Sequence, residues 1–280
     1  MRALHRIEPE LDRDRLRDFL RASDPDDYLL EELDAWVREG RLWVVTEGEA
    51  WVAFGRLHDL GRAEGWVSGL RVRAERRGQG LGGQLLLGLM SDARSLGLRE
   101  LRAVIESTNA ASQRLFARSG FRPVLELTLR CGHPSSSRAV SLRPAQAGER
   151  PDGALGWLPA TDGISDLMPG SDGGRLGRWD PSLLDRWTME GKLYLGRGLA
   201  AAVQADWWPR PRTMWVHPLQ GTPEELVPAL GALADRLGQE AWQAFLPSSD
   251  ALRQTYAALG LTPHPFWGDR IHLYEHRVLR

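Results

Sequence analysis

Residues 65–90 read GWVSGLRVRAERRGQGLGGQLLLGLM, and the hydrophobic period changes inside them. Up to Val72 the stretch has the composition and alternation of a strand. From Leu81 onward, Leu81, Leu85, Leu86, Leu89, Met90, Ala93 and Leu96 recur at three- and four-residue spacing, one buried helix face that Gly97 closes as C-cap. Between strand and helix stands Arg77-Gly78-Gln79-Gly80-Leu81-Gly82-Gly83. Glycines at 78, 80 and 82 let backbone N–H groups turn toward one point with no Cβ in the way, and the helix start adds free N–H groups and a positive dipole end. That combination suits a pyrophosphate. It is neither a dinucleotide G-x-G-x-x-G nor a P-loop, since no Gly-Lys-Ser/Thr follows, and a plain tight turn would use the same glycines.

Upstream, ALHRI reads as a strand, and Leu11, Leu16, Phe19 and Leu20 share one helix face. Tyr28 to Val37 repeats the helical pattern with Leu33, Trp36 and Val37 inward, and RLWVVTEG with EAWVAFGRL forms a hairpin turned at Glu47 to Glu49. Downstream come a strand LRAVIES, a helix from Ala111 to Arg118 ending at Gly120, and a strand FRPVLELTLR. CGHPSSSRA, residues 131–139, has linker composition. Beyond it the order recurs: SRAVSLRPAQ echoes MRALHRIEPE, KLYLGRGLAAAVQAD echoes the hairpin, and Leu226, Leu230, Leu233, Ala234 and Leu237 repeat the buried helix before Gly238. A repeat of about 140 residues follows, with domains at 1–131 and 138–280 of mixed α/β class.

Composition narrows the function classes. Hydrophobic residues make up 42% of the 280 and charged residues 26%, enough to fill a core and too little charge to stay expanded. Lys192 is the sole lysine among 36 basic residues, and 37 acidic residues balance them to a net charge of -1, which disfavours a nucleic-acid surface. Cys131, the one cysteine, excludes an intrachain disulfide and a Cys-rich metal site. No apolar run approaches the ~18 residues of a membrane span, so a cytoplasmic protein is expected. His272 and His276 share a strand face, but no acidic third ligand accompanies them, and no metal is expected.

Hairpin, strand, Arg77-x-x-Gly80-x-Gly82, long helix, strand, Asn109, then Leu115-Phe116 and Gly120-Phe121: this order resembles the GNAT superfamily of N-acetyltransferases across residues 1–130. The resemblance implies acetyl-CoA as cosubstrate. It places the pantetheine arm on the backbone of Leu70, Arg71 and Val72, as an added strand would lie, where two parallel strands splay past a bulge. It places the pyrophosphate on Arg77, Gly78, Gln79, Gly80, Leu81, Gly82 and Gly83, with Asn109 and Phe116 in the second half of the motif. It also implies a general base at Glu64, thirteen residues before Arg77, with Glu106 as second candidate. Many relatives carry a tyrosine as thiolate acid four residues before the Gly of Gly-Phe; Phe116 stands there and has no proton to give.

The second half keeps the pattern and loses the loop. Of the glycines Gly221 remains, and Thr222-Pro223-Glu224-Glu225 reads as N-cap, first-turn proline and capping-box glutamate, so the helix start is occupied by its own carboxylates. Tyr256 occupies the place of Phe116 as a packed aromatic, and Trp207 and Trp208, set in a turn with Pro209 and Pro211, are an acceptor wall or interface anchors. The expected activity is transfer of an acetyl group from acetyl-CoA to a primary amine of a small molecule, in a ternary complex. The expected molecule is a monomer whose copies mimic a dimer, or a homodimer. The same residues fit a regulatory module that binds acyl-CoA without turnover.

Overall fold

The structure, a computed structural model, describes residues 2–7, 9–27, 29–39, 41–136, 141–152, 167–169, 175–178, 181–209, 212–265 and 267–278. Two compact units divide the chain, and not at a single point. The first holds Met1–Ile105, Asn109–Pro123 and Tyr274–Arg280; the second holds Glu106–Thr108 and Val124–Leu273. The boundary at 131–138 marks the sequence repeat, while the contact-defined units exchange segments around it. Strand pairing also continues through Cys131 and Gly132, two residues into the Gly-Pro-Ser stretch, because both bond to the strand carrying Gln243 and Trp242.

In the first unit the elements are β1 (Arg2–Arg6), α1 (Pro9–Ser23), α2 (Leu29–Glu39), β2 (Leu42–Glu47), β3 (Ala50–Gly61), β4 (Glu64–Val72), α3 (Leu81–Ser95), β5 (Glu100–Glu106) and α4 (Ala110–Arg118). Strands β1 to β4 pair antiparallel in order, and β5 runs parallel to β4. Alternation along β3 from Ala53 onward, with a register shift between Trp51 and Ala53, explains the layers. Ala53 and Leu57 join Leu81, Leu85, Leu86 and Leu89 of α3 in one core, while Trp51 and Phe54 turn to Leu16, Phe19 and Leu20 of α1 and to Leu33 and Trp36 of α2. Each fully buried leucine in these clusters contributes about 1.5–3 kcal/mol. The side chain of Leu11 and residue Tyr28 lie outside the described residues.

Strand β6 (Arg122–Gly132) leads into the second unit, which contains β7 (Arg143–Pro144), β8 (Leu167–Pro169), β9 (Leu176–Arg178), α5 (Pro181–Met189), β10 (Leu193–Gly196), β11 (Leu199–Pro209), β12 (Arg212–Gln220), α6 (Pro223–Arg236), β13 (Ala241–Pro247), α7 (Asp250–Ala258), β14 (Thr262–Pro263) and most of the chain up to β15 (Ile271–Arg277). Its pairing β7-β10-β11-β12-β13 repeats β1-β2-β3-β4-β5, with β12 and β13 parallel. One expectation is corrected here. Trp207 and Trp208 lie in β11, paired on toward Thr213 and Arg212, and not in a turn, since aromatic residues favour the extended backbone. Their side chains and Pro211 lie outside the described residues.

The second unit carries an acid-sensitive pair. Burial pushes His217 down to about 3, with Lys192 adding to the depression, and His264 down to about 4. Both sit below the ordinary value of 6.5, so between those limits the unfolded chain binds more protons than the folded one, and stability rises with pH across that window. Acidification from pH 6.5 toward pH 4 should therefore lower the urea midpoint, and His217→Gln should flatten that acid limb. An unchanged slope in the variant would remove His217 as its cause.

Candidate functional site

Strands β4 and β5 pair at three positions, Glu64 with Glu100, Gly65 with Leu101 and Trp66 with Arg102. Past Trp66 none of the described residues of β4 bonds to β5, although both strands continue, so the two part. On its other side β4 stays bonded to β3 as far as Val72, but the register slips between the pairs Arg56–Ser68 and Phe54–Arg71. That slip is a bulge at Gly69 and Leu70, and Gly69 takes φ +64. The bulge turns the backbone of Leu70 to Val72 away from a regular ladder beside an opening strand. The side chains of Leu70 and Val72 pack on the α3 core, leaving the main chain to face the opening.

The next eight residues, 73–80, lead to the start of α3. Gly80 caps it in the left-handed region at φ 80, offers no side-chain cap, and the first turn holds no acidic residue. The first intrahelical bond runs from Gln84 N to Gly80 O at 3.0 Å, which leaves the N–H groups of Leu81, Gly82 and Gly83 without intrahelical partners. A Cβ at Gly78 or Gly80 would meet nothing within 4 Å, so the loop borders open space. Arg77 is exposed, with its Nε 3.4 Å from Val72 O. Arg2 of β1 braces the loop: its guanidinium donates to the Gln79 side chain at 2.9 Å and to the Gln79 carbonyl at 3.3 Å, and it pairs with Glu47 at 2.6 Å. Open backbone donors, no carboxylate in the first turn and the exposed Arg77 fit a diphosphate held at a helix start.

The remaining expected site residues have structural partners. Asn109 caps α4, its Oδ1 accepting from Ser112 N at 3.0 Å. Phe116 is core, edge-on to Phe121 at 4.9 Å and 6.3 Å from the ring of Tyr274, whose phenol burial pushes up. Glu106 ends β5 and is half-buried. Glu64, 5% exposed, sits at the closed end of the β4–β5 pair, where Arg102 Nη1 approaches its Oε1 at 3.1 Å. Arg102 is wholly buried and also binds Glu100 at 2.6 Å and Glu275 at 3.1 Å, one guanidinium among three carboxylates. The carboxylate expected to act as base is thus a member of a buried ion cluster. Cys131 is pushed up to about 11 by burial and stays a thiol at neutral pH.

In the second unit the same opening exists without the same loop. Strands β12 and β13 pair at Thr213–Ala241, Met214–Trp242 and Trp215–Gln243 and then separate. At the start of α6, however, the Glu225 carboxylate accepts from the Thr222 hydroxyl at 3.1 Å and the Thr222 N–H at 3.4 Å, with Glu224 beside it. Trp187 stacks on His217 at 6.2 Å, and Trp215 meets Phe245 edge-on at 5.3 Å, so aromatic rings cover the face of β12 beyond the pairing. Tyr256 is core at 1% exposure, its phenol pushed up by burial. Among the described residues no group of three or more His, Cys, Asp or Glu side chains could hold a metal ion, and no helix is long and apolar enough to cross a membrane.

Comparison with known proteins locates this architecture. Residues 8–121 match the Acetyltransferase (GNAT) family. Over its whole length the chain shares its fold with a GCN5-related N-acetyltransferase from Sphaerobacter thermophilus, at TM-score 0.65 and 15% identity, covering 100% of this chain and 96% of that one. It also shares it with a tandem GNAT protein from the clavulanic acid biosynthesis pathway, at TM-score 0.57 and 14% identity, covering 100% and 99%. An L-methionine sulfoximine/L-methionine sulfone acetyltransferase of Pseudomonas aeruginosa is 54% identical over 50 residues, 18% of this chain. The match spans 29% of that relative's length.

Proposed function

We propose that the protein, whose residues 8–121 match the GNAT acetyltransferase family and whose chain shares the fold of a tandem GNAT protein, transfers the acetyl group of acetyl-CoA to a primary amine of a small molecule, by direct attack in a ternary complex within the first unit. The observation that carries the reading is the parting of β4 and β5 beside a helix start with no side-chain cap and no acid in its first turn. When bound there, acetyl-CoA supplies an acyl thioester. The chain's own part is to hold it: N–H groups of the loop and the first turn of α3 take the diphosphate with Arg77, and the main chain of Leu70, Arg71 and Val72 takes the extended arm. Direct attack fits a protein whose single cysteine is a thiol at neutral pH. A small amine is favoured by the methionine-derived acceptors in the names of the partly matching relatives.

Glu64 is not the base in this scheme, because it lies beside Arg102 at the closed end of the strand pair, away from the opening. Glu64→Gln should lower the melting temperature and change kcat little, whereas loss of a general base would cost about 10²–10⁴-fold. A kcat loss of that size with an unshifted melting temperature would restore Glu64 as the base. Phe116 favours a second reading, a module that binds acyl-CoA without turnover, since no phenol stands at that point of α4. Incubating the full chain with acetyl-CoA and an amine panel that includes L-methionine sulfone separates the two. Amine-dependent release of free thiol, matched by acetylated amine, supports transfer; release no faster than hydrolysis with every amine supports the module.

A further inference from the structure

Two contacts join α2 to the bulge of β4, and they come from different chemistry. At the start of the helix, Asp27 accepts from Leu29 N at 3.1 Å through Oδ1, which makes it the cap of α2. The same carboxylate is gripped from β4: Arg71 Nε donates to Oδ2 at 2.6 Å and Arg71 Nη2 to Oδ1 at 3.1 Å. The Asp27 side chain is 2% exposed and that of Arg71 28%, so the pair is screened by water far less than a surface pair. Two turns further on, Trp36 lies against the backbone of Gly69, where a Cβ would collide with the indole ring. The Arg56 guanidinium lies over the same indole, 4.5 Å from its centroid, and Arg56 stands opposite Ser68 at the edge of the bulge.

Both anchors of α2 therefore fall on residues 69 and 71, the segment whose main chain faces the opening between β4 and β5. Helix α2 lies on the sheet face opposite α3, since Leu33 and Trp36 pack with Phe54 while α3 packs on Leu57 and Val67. On that face of the sheet the helix and the bulge form one wall beside the opening. We infer that the Asp27–Arg71 ion pair positions α2 on the bulge, so that the wall met by the acceptor keeps a fixed register to the strand that holds the acyl donor. Asp27 touches neither substrate and is a positioning residue. The inference rests on the proposed acetyl-CoA site, and its test reports on that site separately.

Asp27→Asn is the informative variant, because asparagine caps a helix about as well as aspartate and keeps the volume but removes the charge that Arg71 grips. Hydrogen exchange of the full chain, with and without acetyl-CoA, gives the first readout. In the wild type, acetyl-CoA should slow exchange at residues 69–72 directly and at residues 29–39 through the ion pair. In the variant the slowing at 69–72 should persist and that in α2 should disappear. Equal slowing of α2 in both proteins, or none in wild-type α2 when β4 is slowed, would overturn the coupling. No slowing at β4 in the wild type would overturn the donor site and the coupling with it, a pattern distinct from the others. Steady-state kinetics give the second readout: the variant should raise KM for the amine about tenfold with the KM for acetyl-CoA held. A lower melting temperature with both constants unchanged would reduce the pair to a brace.

Discussion

Gly80→Asp should reduce the affinity of the full chain for acetyl-CoA by at least ~100-fold while leaving it folded, because it sets a like charge against the diphosphate at the helix start proposed to receive it. The backbone at Gly80 has φ 80, a conformation that costs other L residues about 1–2 kcal/mol, and aspartate is among the least penalised there. No atom lies within 4 Å of the new Cβ, so nothing needs to move to admit it. Gly80→Ala carries the same backbone strain without the charge, and its affinity should fall far less. Calorimetric titration beside a thermal melt reads both effects. Binding of wild-type strength in the aspartate variant would mean that the diphosphate lies elsewhere.

Arg102→Met should cost about 3–5 kcal/mol of stability, the range for removing one partner from a buried ion cluster, and lower the melting temperature on the order of 10 °C. The arginine is wholly buried between Glu64, Glu100 and Glu275, and methionine would fill its volume while leaving three carboxylates to face one another. The cluster also ties the closing residues of the chain into the first unit, since Glu275 belongs to its segment Tyr274–Arg280. Chemical denaturation followed by tryptophan fluorescence measures the loss. A change under ~1 kcal/mol would rank the cluster with exposed ion pairs.

How much of this was legible in the chain depends on how local each feature is. Helix α3 and its loop are readable because a period of three and four starts immediately after a glycine-rich turn, and the structure buries Leu81, Leu85, Leu86, Leu89, Met90 and Ala93 on one face. The capping box of α6 is equally local, four consecutive residues whose hydrogen bonds the structure shows. The parting of β4 and β5 is different. Nothing in GWVSGLRV or LRAVIES states where their bonding stops, and the family resemblance supplied that expectation. Arg102 and Glu275 are 173 residues apart, and Asp27 and Arg71 are 44 apart, so neither pair leaves a mark in any window of sequence. Glu64 shows how little an offset says about surroundings. Its distance from Arg77 matches that of a base in related enzymes, but the offset says nothing of Arg102, which lies on the neighbouring strand and takes up the carboxylate.

The second copy keeps the frame of the opening and has a different helix start beside it. The three-position pairing and the parting of β12 and β13 survive, because they are properties of the sheet. The helix start differs, because the Glu225 carboxylate folds back onto the Thr222 N–H and hydroxyl and Glu224 adds charge of the wrong sign. If the first copy holds acetyl-CoA as proposed, one turn of helix should make the two copies differ in binding it.

Calorimetric titration of the intact chain with acetyl-CoA tests that difference most directly. One equivalent bound, and lost in Gly80→Asp, is the result expected of a single donor site in the first unit. Two equivalents would contradict the block placed at Glu224 and Glu225, and none would contradict the donor site itself.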